Sequence, residues 1–290
     1  MFSLINVRAL CVFVFTLSVS GLTHAAYSQI VSFGDSLSDV GNAGRFSNGP
    51  VWVEDLAQIL GLPVATASTE GGTNYAWGGA RTTGSGVPST NDQVSEYLSN
   101  VGGIADSAAL YTILTGSNDV GGVATGANTI PGLLADAAAV ASLASTLVQA
   151  GAQSILVVNL PDLGITPLVD GFEALATTAT QIFNDVLLQG LDTLGSSNIL
   201  FLDLFTLSQQ LAADPPAYGL NNVDDNCLVT TGGLGSACDT YLFWDNIHPT
   251  AAGHHLIALE AAATVVPLPA ALWLFGSALL GLAVIKRKKA

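Results

Sequence analysis

Ser36, Asp245 and His248 are the residue types that acyl transfer requires, and the sequence sets each beside a helper. A serine hydroxyl becomes a nucleophile only when a base can take its proton and preorganised donors can hold the oxyanion that develops. Ser36 stands in Gly34-Asp35-Ser36-Leu37, directly after an apolar run, where a turn exposes a hydroxyl at the end of a strand. The tetrapeptide decides little alone, because Asp and Ser also fill helix caps and turns. The choice of base is narrow, since residues 26–264 hold only His248, His254 and His255. His248 follows Asp245 by three positions, in Trp244-Asp245-Asn246-Ile247-His248-Pro249. In a tight turn that carboxylate can accept a bond from the imidazole, fix its tautomer and stabilise the imidazolium. The plainer alternative is a helix-capping Asp beside a surface His. His254 and His255 have no such neighbour and are expected to be packed or solvated residues of a last helix.

Oxyanion donors must be backbone N–H groups, with or without a side-chain amide. Asn118, in Gly116-Ser117-Asn118-Asp119, suits the amide role, and Gly78 and Gly79, in Asn74-Tyr75-Ala76-Trp77-Gly78-Gly79-Ala80, allow close backbone approach. Taken singly, each is more often a turn residue. The elements that must gather them follow an alternation of short apolar runs and longer helical patterns, the mark of βαβ units and a parallel sheet. Strands are expected at 29–33, 63–66, 109–114, 154–158 and 199–202, and helices at 50–60, 92–100, 131–149, 172–191, 205–212 and 249–263. Ligands of open α/β sheets bind outside the carboxyl ends of the strands. Gly34-Asp35-Ser36-Leu37 follows the first of these strands and Gly116-Ser117-Asn118-Asp119 the third.

Both chain ends read as addressing segments around one domain, residues 26–264. Arg8, the apolar run 9–19 and the small-residue site Thr23-His24-Ala25 form a signal-peptide pattern over 1–25. In the last segment, 265–290, residues 268–285 are apolar and would extend about 27 Å as a helix, enough to cross a membrane. Lys286-Arg287-Lys288-Lys289 closes the chain and belongs on the cytoplasmic side. Both ends therefore predict export. Within 26–264 all 22 acidic residues oppose only Arg45 and Arg81, a field that repels phosphate backbones and argues against nucleic-acid binding. Cys227 and Cys238 are the only cysteines of this domain, and in an exported protein they are expected to staple a loop as a disulfide.

The ordered set of 34–42 (Gly-Asp-Ser-Leu-Ser-Asp-Val-Gly-Asn), 74–80, 116–119 and 245–249 closely resembles the blocks of GDSL-type SGNH hydrolases, from about residue 30 to residue 263. The resemblance implies a flavodoxin-like three-layer α/β/α sandwich with a parallel five-stranded sheet and no metal or other cofactor. It implies Ser36 as nucleophile and first oxyanion donor, Gly78 as the second with Gly79 as its alternative, and Asn118 as the third. His248 is then the base and Asp245 the residue orienting it. The expected substrate is an ester or lipid, cleaved through an acyl-Ser36. The same residues would serve an acyltransferase or a polysaccharide deacetylase, and a surface-binding module without turnover is the reading of a different class. The Gly-x-Ser-x-Gly elbow of α/β-hydrolases is absent around Ser36. Residues 160–164 and 241–244 also resemble family segments, the first structural and the second a wall of an acyl pocket, with Trp244 equally suited to packing under the catalytic loop. Val266-Pro267-Leu268-Pro269-Ala270, with the apolar stretch and basic cluster after it, resembles the PEP-CTERM class of bacterial sorting signals. That resemblance implies removal of the tail by an exosortase and delivery to the cell surface or beyond, against the simpler alternative of a retained single-span anchor.

Overall fold

Strands β1 (Ile30–Gly34), β2 (Leu110–Leu114), β3 (Ser154–Val158) and β4 (Ile199–Leu202) are apolar runs with little alternation, as strands covered on both faces must be. In the computed structural model, which describes residues 27–266 apart from Ser85 and Leu234, they form a parallel sheet in the order β1-β2-β3-β4. Ile30 pairs with Leu110, Leu110 with Ser154 and Ile155 with Ile199. All residues of β1 and β2 are buried, so the two motif-bearing strands run through the centre of the core.

Helices flank this sheet. α1 (Trp52–Leu60) packs against α8 (Ala251–Val265), while α4 (Ile130–Gln149) packs against α5 (Glu173–Leu194), α3 (Ser117–Ala124) and α2 (Thr90–Asn100). α4 shows why such a sequence folds in this way. Thr129 caps it by accepting the Gly132 N–H, Pro131 sits in its first turn, and Leu133, Ala137, Val140, Ala144 and Leu147 repeat at helical spacing to give one buried face. Among the described residues α4 alone is long and apolar enough to cross a membrane, and that face is instead spent on the core.

One expectation about the sheet requires correction. Residues 63–66 do not form its fifth strand: Pro63 has no N–H to give, and the edge beside β1 is taken by residues 73–77. The Ser32 N–H bonds the Thr73 carbonyl (3.1 Å), the Tyr75 N–H bonds Ser32 (2.8 Å) and the Trp77 N–H bonds Gly34 (3.0 Å). This pairing is too short and irregular to be a strand, so the named sheet has four members.

The expected start of the last helix also moves. Thr250, which accepts the Gly253 N–H, is the cap of α8, and Pro249 lies outside it. α6 (Leu204–Ala213), a two-stranded parallel pair of β5 (Asn222–Asn226) and β6 (Tyr241–Phe243), and the short α7 (Cys227–Thr231) complete the elements used below. The described residues form one compact unit. The expected signal peptide, membrane helix and basic tail lie outside the described residues.

Candidate active site

The turn that carries Ser36 is built on a glycine whose place leaves no room for a side chain. Gly34 ends β1 at φ +152°, and a Cβ there would sit 2.1 Å from the Leu114 carbonyl oxygen. Gln93 of α2 grips the same residue at both ends, accepting its N–H and donating to its carbonyl, each at 2.9 Å. The chain then turns, and the Ser38 and Asp39 N–H groups return to the Asp35 carbonyl at 3.1 Å, leaving Ser36 at the strand end. Asp35 is fully buried, and burial pushes its carboxyl up to about 6, against the opposing pull of the Leu37 N–H and the charge of His248. Asp39 is also buried, and its carboxylate accepts the N–H groups of Gly41, Asn42, Ala43 and Gly78 at 2.7–2.9 Å. Asn42 donates to the carbonyls of Asn74 and Ala76, which joins the first sequence block to the second.

His248 comes from the other end of the chain, on the loop between β6 and α8. The Trp244 N–H bonds the His248 carbonyl at 2.8 Å and closes that loop. Inside it, Asp245 Oδ1 accepts the N–H groups of Ile247 and His248, while Oδ2 lies 2.8 Å from His248 Nδ1. Burial raises the Asp245 carboxyl, but the His248 ring and these two N–H groups hold it below its ordinary value, so it is a carboxylate. His248 Nε2 lies 2.8 Å from Ser36 Oγ, across 212 positions of sequence. The ring of Phe46 covers the imidazole at 5.1 Å. Asp245 is not a helix cap; Thr250 performs that role, which removes the plainer reading of the pair.

The third side of the site is the end of β2. Gly116, at φ +122°, turns the chain into α3, and a Cβ on it would strike the Phe183 ring at 2.3 Å. Asn118, on the first turn of α3, donates one amide hydrogen to the Ala80 carbonyl at 2.8 Å, which leaves the second available. Asp119 accepts the Thr82 N–H and hydroxyl at 2.9 and 3.0 Å, fixing the 78–82 loop to the same helix. Burial pushes the Asp119 carboxyl up to about 7 against the Thr82 N–H, and nearby Asp136 adds to the rise. The expectation for Gly78 needs correction: its N–H is spent on Asp39, whereas Gly79 lines the cavity with Ser36 and Asn118. Gly78 is small because Phe46 lies where its Cβ would be, and Gly79 because its φ is +80°.

Of the remaining predicted residues, Cys227 and Cys238 form a disulfide with Cα atoms 5.6 Å apart. The loop they close, with the residue before it, touches the loop that carries His248: the Leu228 N–H bonds Trp244, and the Asn226 amide bonds Asn246. His255 pairs with Asp55 of α1 at the surface, and His254 is buried with neither ring nitrogen hydrogen-bonded among the described residues. Leu242 and Phe243 line the cavity beside Ser36, whereas Trp244 does not. Sequence reasoning missed Asp39, Phe46 and Gln93. Asp39 stood inside a quoted motif, but four scattered backbone donors leave no sequence signal. Among the described residues no group of three His, Cys, Asp or Glu is gathered to hold a metal ion.

The model of the family described as GDSL-like Lipase/Acylhydrolase matches residues 30–261. The chain belongs to this family. Lipase 1 of Photorhabdus luminescens is 28% identical over 83% of this chain and 51% of its own length, so the chain spans about half of that relative. The phosphatidylcholine-sterol acyltransferase of Aeromonas hydrophila is 27% identical over 83% of this chain and 90% of its own length. Among solved structures, a catalytic mutant of an acetylxylan esterase from Geobacillus stearothermophilus superposes with a TM-score of 0.52, at 16% identity, over 82% of this chain and 94% of that one. A member of the lipolytic G-D-S-L family from Veillonella parvula gives 0.51 at 15% identity, over 83% and 100%. These likenesses concern the fold, and they agree with a parallel sheet flanked by helices.

Proposed function

We propose that the protein is an exported esterase or lipase that works through an acyl-Ser36 intermediate. The observation that carries this reading is the unbroken line Ser36 Oγ, His248 Nε2, His248 Nδ1, Asp245 Oδ2, with 2.8 Å at both hydrogen bonds. In the first half-reaction, Ser36 attacks the ester carbonyl as His248 takes its proton, and the Asp245 carboxylate stabilises the imidazolium. The oxyanion is held by the N–H groups of Ser36 and Gly79 and by the second amide hydrogen of Asn118. His248 then returns the proton to the departing alcohol. In the second half-reaction it takes a proton from water, which attacks the acyl carbon, and passes that proton to Ser36 Oγ as the Oγ–acyl bond breaks and the acid leaves.

Transfer to an alcohol in place of water is the second reading. It uses the same residues and is favoured by the acyltransferase relative that is matched over nine-tenths of its length. Export rests on the signal-peptide pattern and on the Cys227–Cys238 disulfide, a bond that persists in oxidising compartments. Processing by an exosortase rests on the tail motif. Ser36→Ala should reduce turnover of a soluble p-nitrophenyl ester to background with an unchanged unfolding curve. Full activity in that variant would refute the mechanism. Secreted protein beginning at Ala26 and lacking the tail would support the export route, and retention of both ends would refute it.

A further inference from the structure

We infer that the acyl group of the substrate enters an apolar pocket between α6 and α8, and that this pocket selects straight acyl chains of about six to ten carbons over acetyl. The inference rests on acylation at Ser36 and adds the substrate class.

The cavity opens at Ser36, Gly79 and Asn118, where the reacting carbonyl must lie, and has a volume of about 260 Å³. Its inner wall is formed by side chains that the fold has already buried. Leu204, Ser208 and Leu211 lie at helical spacing on one face of α6, Gly253 and Ile257 face them from α8, and Leu242 of β6 lies between. Leu163 and Ile165, which follow β3, add further apolar surface.

The polar residues on this wall are spoken for. Asp162 Oδ1 accepts the Gly164 N–H and the Thr177 hydroxyl. The Ser208 hydroxyl accepts the Asp162 N–H and donates to the Phe205 carbonyl, and Thr166 donates to the Leu163 carbonyl. The surface of the cavity is mostly carbon, so a sugar hydroxyl placed there would lose its water bonds and find few replacements. A methylene would be favoured by as much as about fourfold in binding, the equivalent of about 0.8 kcal/mol per buried CH₂.

Volume sets the length. An apolar cavity of about 150 Å³ takes up benzene, six carbons. In proportion, about 260 Å³ holds about ten, and the carbonyl end needs part of that space. An acetyl group would leave most of the pocket empty. The leaving alcohol stays outside the pocket, so selection acts on the acid half of the ester.

The test measures kcat/KM of the full chain for p-nitrophenyl esters from acetyl to hexadecanoyl. A rise of at least tenfold from acetyl to octanoyl, followed by a fall beyond about twelve carbons, is expected. Leu211→Trp should fill the pocket and lower the octanoyl-to-acetyl ratio at least tenfold. Because that variant can fail to fold, Ile257→Ala serves as its counterpart and should move the longest accepted chain upward by about two carbons. Labelling of Ser36 by methyl and octyl fluorophosphonates, in which the Ser36 Oγ–P bond forms and fluoride leaves, should show the same preference. Acetyl as the best substrate, or ratios unmoved in both folded variants, would overturn the pocket while leaving Ser36 catalysis standing. Absence of Ser36 labelling at every chain length would overturn both.

Discussion

The two halves of the site are held in different ways. The Ser36 side, residues 34–42, is buried from Gly34 to Asp39, and side chains tie down the backbone around it: Gln93 on Gly34, Asp39 on three of its own neighbours and on Gly78, Asn42 on Asn74 and Ala76. The base side, residues 244–249, is part exposed and hangs from three backbone bonds, one within the loop and two to the segments at Leu168 and Leu228. Asp245 closes it from inside. The serine is thus placed by the folding of the domain itself, while the histidine is placed by a loop and its tethers. Removing a hydrogen-bonding group should therefore damage stability on the first side and rate on the second.

The strongest contrast comes from two aspartates. Asp245→Asn should lower kcat by about three to four orders of magnitude, because the amide cannot hold His248 in the required tautomer, with little change in the urea midpoint. Asp39→Ala should do the reverse. It strands the N–H of buried Gly78 and releases those of Gly41, Asn42 and Ala43, and with charge-assisted bonds at about 1.5–3 kcal/mol each, the loss should be about 4 kcal/mol, a large part of a domain's stability. If urea unfolding found Asp39→Ala as stable as the parent, the distinction between the two sides would be void.

Opening the disulfide tests the tethers. Cys227 and Cys238 are 11 positions apart, so their bond limits the unfolded chain by about 3 kcal/mol. The loss should be local to residues 222–243 and visible as faster amide exchange there. A severalfold fall in kcat should accompany it, with β1 to β4 protected as before.

The smallest expected effect concerns pH. Burial pushes His254 down to about 3 from an ordinary 6.5, so the unfolded chain binds a proton that the folded one refuses. Stability from this group is complete above about pH 6.5 and declines as the solution is acidified, by roughly 2 kcal/mol between neutrality and pH 5. Asp35 and Asp119, raised to about 6 and about 7, act in the opposite sense: they are neutral in the acid range and weaken the fold as pH rises through those values. His254→Leu should flatten the acid side of the stability profile, and an unchanged profile in thermal melts would remove His254 from the account.

How much of the fold and site was legible in the sequence depends on how local each feature is. The strands at 154–158 and 199–202 and the helix at 131–149 announced themselves because apolar spacing is a local property. The hydrogen-bonded line of Ser36, His248 and Asp245 was legible because Asp245 and His248 share one turn and Ser36 follows a buried strand. The edge segment at 73–77 was not, since it pairs with β1 through three backbone bonds and carries no periodic pattern. β5, Asn222–Asn226, is polar in all but one residue and reads as a loop. Gly78 looks the equal of Gly79 in sequence, and only the fold brings the Asp39 carboxylate, 39 positions away, onto its N–H.

Fluorophosphonate labelling of the purified protein, wild type beside Ser36→Ala and Asp245→Asn, tests the central claim most directly. The account predicts one modified peptide containing Ser36, no labelling in Ser36→Ala, and markedly slower labelling in Asp245→Asn. A folded wild-type protein that takes no label, or takes it at another serine, would contradict the account and leave the family's fold serving as a surface-binding module.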